Sequence, residues 1–183
     1  MKHRPFLIVI SAASGTGKTT VIRRVLERSP ELVYSVSATT RPKRPNEVDG
    51  KSYHFLSREE FERKIREGYF VEWAEIYGDY YGTPKPFLVE SLRAGKEVIL
   101  DLDVHGKRAL EQQFPGQVVS IFLIPPDLET LKARLMERRA DPPEKLIIRL
   151  ELARTEIQNA HEYQYIVVND EVEAAVQRIL TII

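Results

Sequence analysis

Phe6-Leu-Ile-Val-Ile10 is an unbroken apolar run, as expected for a strand covered on both faces of a parallel sheet. A Gly-rich stretch follows, and apolar positions then return with helical spacing. Val21, Ile22, Val25 and Leu26 form one stripe, Arg23, Arg24, Glu27 and Arg28 take the wet side, and Ser29-Pro30 stops the helix. Further along, Val98 to Leu102 and Val118 to Ile124 read as strands, the first ending in acidic residues and the second closed by Pro125-Pro126. Asp127 caps a helix with Leu128, Leu131 and Leu135 on one face. Asp141, with Pro142 at the first helical position, starts another, striped by Leu146, Leu150, Ala153 and Ile157. Tyr165 to Val168 is a last strand, and Val172, Ala175, Val176 and Ile179 mark a closing helix. Strands alternating with helices predict an α/β fold with a mostly parallel sheet, though the pattern does not give the strand order.

Residues 38–84 break this rhythm, being polar, Tyr-rich and short on long apolar runs. One helix stands out there: Ser57 and Glu60 form a capping box, Phe61 and Ile65 pack at i,i+4, and Gly68 caps the end. The region reads as an insertion that carries a binding surface rather than core.

Composition narrows the classes. A chain of 183 residues, 43% hydrophobic and 30% charged, is that of an ordinary globular domain. Twenty-seven basic residues balance 27 acidic ones, so the basic bias of a duplex-DNA binder is missing and no nucleic-acid partner is expected. The absence of cysteine excludes thiol catalysis, disulfides and Cys-ligated zinc. The four histidines form no HExxH pair, which argues against a His-based metal site. No apolar run approaches the ~20 residues of a membrane helix, so no membrane partner is expected. Met1 to Pro5 followed by Phe6 to Ala13 imitates a secretory signal, yet its cleavage site would fall inside a phosphate-loop motif. The segment therefore reads as a buried strand, and a cytoplasmic location is expected.

That motif is Ala12-Ala13-Ser14-Gly15-Thr16-Gly17-Lys18-Thr19, set between the first strand and the first helix. Glycines let the backbone curl so that several N–H groups face one phosphate, and the helix N-terminus adds the positive end of its dipole. Lys18 supplies a mobile charge for the β- and γ-phosphates, and the Thr19 hydroxyl can ligate Mg²⁺. The first glycine of the strict pattern is replaced by Ala12. Asp101 and Asp103 stand two apart at the C-terminal end of a predicted strand, so a regular strand points both to one side. Ligands of α/β sheets bind there, and a carboxylate in that place holds Mg²⁺, directly or through water, or orients the substrate.

Beyond the loop, the chain resembles the guanylate kinase family over nearly its whole length. Ser37-Ala-Thr-Thr-Arg41-Pro-Lys-Arg44 is similar to the family's S-x-T-T-R-x-x-R segment, and Glu47-Val-Asp-Gly50-Lys-Ser-Tyr53-His-Phe55 to its GE-V-x-G-x-x-Y-x-F stretch. Phe70-Val-Glu72-Trp-Ala, Gly78-Asp-Tyr-Tyr81-Gly82-Thr83 and Leu100-Asp101-Leu-Asp103-Val-His-Gly106 resemble further family pieces. The resemblance implies a P-loop kinase core with a mostly parallel five-stranded sheet flanked by helices, a small mixed acceptor-binding insertion and a helical lid. As a single domain over 1–183, it divides into core (1–36, 86–133 and 151–183), GMP-binding insertion (37–85) and lid (134–150).

The activity implied is Mg²⁺-assisted phosphoryl transfer from ATP to GMP, and to dGMP, within purine nucleotide metabolism. By the same resemblance Arg41, Arg44, Tyr53 and Tyr81 hold the acceptor phosphate, while Ser37, Glu72 and Thr83 read the base, with Asp101 and Asp103 against the guanine nucleotide. The chemistry fits, since guanidinium groups make bidentate contacts to phosphate. Guanine presents N1–H and an exocyclic amine as paired donors for a carboxylate, whereas adenine presents an acceptor at N1 and leaves a buried charge unpaired. ATP falls to residues 12–20, that is Ala12, Ala13, Ser14, Gly15, Thr16, Gly17, Lys18, Thr19 and Thr20, with Arg134 and Asn169, the latter near the adenine. Lys18, Arg41, Arg138 and Arg149 are the implied catalytic residues, and Thr19 with Asp101 the metal ligands. The lid departs from the family pattern, with Arg139 in place of a glycine and Pro142-Pro143 following, which leaves open which arginine reaches the phosphates. His105 also replaces the usual Gln.

Three other functions fit the residues less well. A ribose-phosphate kinase on the same scaffold should lack the set Ser37, Glu72 and Thr83, which is present. A peptide-binding adaptor should have lost Lys18, Thr19 and the arginines, which remain. A GTPase switch should carry an NKxD-type motif, which the chain does not have.

Overall fold

The computed structural model describes residues 4–137 and 143–183. In chain order the elements are β1 (Leu7–Ala12), α1 (Lys18–Arg28), β2 (Val33–Tyr34), β3 (Ala38–Thr39), β4 (His54–Phe55), α2 (Arg58–Arg66), β5 (Phe70–Ile76) and β6 (Asp79–Pro84). There follow α3 (Lys85–Arg93), β7 (Val98–Asp101), α4 (Val104–Gln113), β8 (Val118–Ile124), α5 (Leu128–Glu137), α6 (Pro143–Gln158), β9 (Tyr165–Val168) and α7 (Val172–Ile182). A five-stranded parallel sheet has the order β2-β7-β1-β8-β9, and a four-stranded mixed sheet the order β4-β3-β6-β5. Leu7 to Ile10 of β1 are 0% exposed, as a strand covered on both faces requires.

Two compact units divide the chain. One gathers the described residues of 1–7, 31–100 and 105–118, the other those of 8–30, 101–104 and 119–183.

The first unit contains the mixed sheet and its own small core. Phe61 of α2 is fully buried and stacks on Phe70 of β5 at 4.3 Å and on Tyr80 of β6 at 5.3 Å between ring centroids. Ala38, Leu56, Ile65 and Tyr69 complete the cluster. At the N-terminus of α2 the Ser57 hydroxyl accepts the Glu60 N–H at 3.1 Å, the serine half of the expected capping box, and Gly68 past its end has a φ of +66°. β5 and β6 form a hairpin closed by Tyr77 and Gly78, both with positive φ (52° and 86°), the geometry of a tight turn that follows the twist of its strands.

In the second unit α1 packs on α7; α1 buries Val21, Ile22 and Val25, and α7 buries Ala175, Val176 and Ile179. A second cluster joins Ala13 to Leu131 and Leu135 of α5 and Ala153 of α6, with Leu150 and Ile157 at its margin. Three expectations change in detail. β7 ends at Asp101, Leu128 is exposed at the first position of α5, and α3 and α4 appear where the pattern predicted none. Asp141 and Pro142, expected to open α6, lie outside the described residues. No helix among the described residues is long and apolar enough to cross a membrane.

Candidate active site

The phosphate loop belongs to the second unit. β1 runs out at Ala12 and α1 begins at Lys18, so the loop spans only the five residues between them. Ala12 is still extended strand, which any residue adopts, and this explains why no glycine is needed there. Gly15 and Gly17 are needed. Their φ angles are +87° and +94°, and a Cβ on Gly15 would stand 2.6 Å from Leu135 Cδ2. The Thr16 N–H closes the turn on the Ala13 carbonyl at 3.1 Å, and the carbonyl of Gly17 accepts the N–H groups of Thr20 and Val21.

Several long-range contacts hold this loop. Asn169 Nδ2 donates to the Thr16 carbonyl at 2.6 Å, and Asn169 is 1% exposed. Its Oδ1 and the Thr16 hydroxyl are buried without a hydrogen-bond partner among the described residues. Lys18 Nζ pairs with Asp101 Oδ1, and Glu156 of α6 accepts the Ser14 N–H at 2.7 Å. Burial pushes the Glu156 carboxyl up; the Ser14 N–H and Lys18 pull it back, and Asp103 pushes it up again. Tyr163 donates its hydroxyl to Ser11 Oγ at 2.8 Å, and the Ser11 hydroxyl donates to the carbonyl of Leu102. That buried chain ties the end of β1 to the residue between Asp101 and Asp103.

Asp101 and Asp103 do not share one strand. The strand stops at Asp101, and Asp103 lies on the connection just before α4, so the period-of-two argument does not apply to the pair. Asp101 meets Lys18, while Asp103 acts electrostatically on Glu156. Arg134 donates to the carbonyls of Asn169 and Asp170 at 2.9 and 3.0 Å, bracing the β9–α7 connection. Arg149 lies on α6, half-buried. Arg138 falls outside the described residues.

Of the predicted acceptor residues, Ser37, Arg41, Arg44, Tyr53, Glu72, Tyr81 and Thr83 fall in the first unit, whereas Asp101 and Asp103 belong to the second. Arg41 makes a bidentate pair with Glu47 (Nη1–Oε2 2.7 Å, Nη2–Oε1 2.5 Å), and its guanidinium lies 5.1 Å from the Tyr53 ring centroid and 5.7 Å from that of Phe55. The pair holds the Glu47 carboxyl down at about 2, helped by the Arg44 N–H at 2.9 Å, and raises Arg41 further above its already high value. Tyr53 meets Tyr81 edge to face at 6.1 Å, so the two phenols stand together beside Arg41. The Arg44 side chain is exposed. Ser37, through its carbonyl, accepts the His54 N–H at 2.9 Å and so fixes β4 beside β3.

Glu72 sits where the β5–β6 register shifts, between Phe70 and Trp73, and such irregularities re-aim a side chain. The Thr83 hydroxyl donates to Glu72 Oε1 at 2.6 Å. Gly82 permits the close approach, since a Cβ there would lie 3.0 Å from the Glu72 carbonyl and 3.1 Å from Phe61 and Phe70.

Sequence reasoning did not single out Glu47 as more than part of a motif, and it missed Glu156 and the loop-holding contact of Asn169. For Glu156 one signal existed: a carboxylate beside the Leu150, Ala153 and Ile157 stripe is an acid on the packed face of α6.

Among the described residues no cluster of three or more His, Cys, Asp or Glu forms a protein-only metal cage. The donors at the loop are the Thr19 hydroxyl in the first turn of α1 and the Asp101 carboxylate on Lys18. Such a sparse oxygen set fits Mg²⁺ held by one or two protein oxygens together with nucleotide phosphates.

Comparison with known proteins agrees with this arrangement of motifs. The family profile described as guanylate kinase matches residues 4–183. A guanylate kinase of Symbiobacterium thermophilum is 46% identical over 182 residues, covering 100% of this chain and 86% of that protein. A guanylate kinase of Lactococcus lactis is 47% identical over 183 residues, covering 100% and 89%. The crystal structure of guanylate kinase from Anaplasma phagocytophilum superposes with a TM-score of 0.79 at 34% identity, covering 100% of this chain and 86% of that one. With the phosphate loop, the Glu72–Thr83 pair and a profile that spans the described chain all in agreement, this protein belongs to the guanylate kinase family.

Proposed function

We propose that the protein transfers the γ-phosphoryl group of ATP to the phosphate of GMP, giving ADP and GDP, and accepts dGMP as well. The observation that carries this is the Glu72 carboxylate, turned by a strand irregularity and held by Thr83 in a chain that also has an intact phosphate loop. A fixed acceptor of that kind suits the paired N1–H and amine of guanine and penalises adenine.

The donor side rests on residues 12–20, whose N–H groups and helix dipole favour the polyphosphate, with Lys18 neutralising the β- and γ-oxygens. Asn169 and Arg134 belong to the same donor side, Asn169 near the adenine, while Asn169 also holds the Thr16 carbonyl and Arg134 the β9–α7 connection. On the acceptor side Arg41, Arg44, Tyr53 and Tyr81 receive the GMP phosphate, with Ser37, Asp101 and Asp103 completing the nucleotide contacts. A phosphate reaching Arg41 must share or displace Glu47. The acceptor is already an anionic oxygen, so no dedicated general base is required. Arg138 and Arg149 bring positive charge to the transferring group, the kind of positioning and neutralisation on which phosphoryl transfer depends. Thr19 and Asp101 would hold Mg²⁺, which supplies further neutralisation of the phosphate oxygens when bound. We assign residues 37–85 to GMP binding and 134–150 to the lid.

The test is ADP release from ATP with GMP, dGMP, AMP and UMP offered separately. Turnover with GMP and dGMP only is expected; rejection of GMP alongside turnover of another acceptor sinks the reading.

A further inference from the structure

The Glu156 side chain engages the backbone of the phosphate loop, and none of the roles above uses it. Its Oε2 accepts the Ser14 N–H at 2.7 Å across 142 positions of sequence. The loop around Ser14 has little room to find another partner. Ala13 is buried against Leu131, Leu135 and Ala153, and Gly15 is pressed against Leu135 at a φ that only glycine adopts readily. On the helix side, Ala153 is fully buried in that cluster and Leu150 and Ile157 flank it, so the face of α6 carrying Glu156 is the one laid on the loop. Apolar contacts of this kind are non-directional. The Glu156 bond supplies direction, because it ties one particular side chain of α6 to the Ser14 N–H.

Arg149 stands seven residues before Glu156, two helical turns and about 10 Å along the same face. Whatever fixes Glu156 therefore also fixes where Arg149 points. We propose that Glu156 is a positioning residue: by accepting the Ser14 N–H it sets the loop peptide and registers α6, with Arg149, against the phosphate loop. This rests on reading the loop as the donor site and Arg149 as a phosphate-directed arginine. The groups acting electrostatically on Glu156 are Lys18 and Asp103, so a competing role as a mere local charge must be separated from a role as a hydrogen-bond acceptor.

Two substitutions separate them. Glu156→Gln keeps the reach and an acceptor oxygen but loses the charge. Glu156→Asp keeps the charge and falls one methylene short. With the full chain, kcat and KM are measured with ATP and GMP, and ADP affinity by calorimetry. A hydrogen bond to a charged group corresponds to roughly a 10- to 100-fold effect. Glu156→Gln should keep kcat within about threefold of wild type and bind ADP at least as tightly, the repelling charge being gone. Glu156→Asp should lower kcat about tenfold or more and weaken ADP about tenfold, with the KM for GMP changed less than about twofold. A Gln variant impaired tenfold, or an Asp variant equal to wild type in both readouts, overturns the proposal. Wild-type protein that binds ADP yet leaves GMP untouched would refute the acceptor reading, and Glu156 would then be judged by ADP affinity alone.

Discussion

With Thr83 on its Oε1, the Glu72 carboxylate is held as an acceptor, and the base-reading role proposed for it makes a direct prediction. Removing it should cost about 1.5–3 kcal/mol of GMP binding, the range for hydrogen bonds to a charged group. Glu72→Ala is therefore expected to raise the KM for GMP roughly 10- to 100-fold while the KM for ATP stays put. Thr83→Val should produce a smaller rise, about fivefold, because only the orientation is lost. An unchanged KM for GMP in the first variant means that the base is read elsewhere. Lys18→Ala, by contrast, should leave folding intact and lower kcat by at least about 100-fold, as loss of one charge-stabilising donor does. Lys18 was legible in the sequence because its motif is local: strand, glycines, lysine and helix follow one another. Glu156 was not, because its partner is 142 residues away and the contact exists only once α6 lies on the loop. Glu47 stood inside a recognisable motif, yet its bidentate hold on Arg41 depends on the loop of residues 41–47 closing upon itself.

Elements were legible where their apolar spacing was regular and obscure where something other than spacing defined them. β8 and β9 fall at the residues their patterns predict, and α1 and α7 bury most of the stripes expected of them, leaving Leu26 and Val172 half-buried. The β5–β6 hairpin gave no alternating signal because Trp73, Glu75 and Ile76 are all exposed along one arm. Its turn also hides: Tyr77 takes the left-handed conformation that usually announces itself with Asn or Gly. Tyr77 is fully exposed and that conformation costs an ordinary side chain about 1 kcal/mol, so Tyr77→Asn should raise the thermal midpoint by a few degrees without touching activity. A lowered midpoint would show that the tyrosine contributes something the turn geometry does not reveal. α4 escaped notice because its buried face is made of Gly106, Lys107 and Leu110, only one of them a large apolar residue. In the mixed-sheet unit, Phe61 joins α2 to β5 and β6 through two stacked rings, so Phe61→Ala should destabilise by about 3–5 kcal/mol and abolish GMP binding before ATP binding. Calorimetric unfolding together with separate titrations of the two nucleotides decides it.

At the scale of the whole molecule, charge balance near zero says little, and the pairing of particular carboxylates says more. Glu47 is drawn down from an ordinary 4.5 to about 2 by Arg41 and the Arg44 N–H, and Asp170 from 3.8 to about 2 by Arg178. Both hold protons less tightly when folded than when unfolded. Their contribution to stability is thus complete above the ordinary carboxylate range and is lost as pH falls toward 2. Wild type should accordingly exceed Glu47→Gln in stability at pH 7 by a margin that closes between about pH 4.5 and pH 2, as read from thermal midpoints across that range. A margin independent of pH would assign the effect of the substitution to something other than the ion pair. Fold class followed from alternation of strands and helices, but the order β2-β7-β1-β8-β9 did not, because strand neighbours are set by packing between distant segments. The acceptor, too, was legible only through the combined motifs between Ser37 and Thr83, and no single residue there carries it alone. The central claim is that this phosphate loop delivers its phosphoryl group to GMP. ATP labelled on its γ-phosphate, incubated with the protein, Mg²⁺ and GMP, tests it most directly. Label is expected in the β-phosphate of GDP, formed in step with ADP and abolished in Lys18→Ala; label released as free phosphate, with GMP recovered unchanged, would rule GMP out as the acceptor.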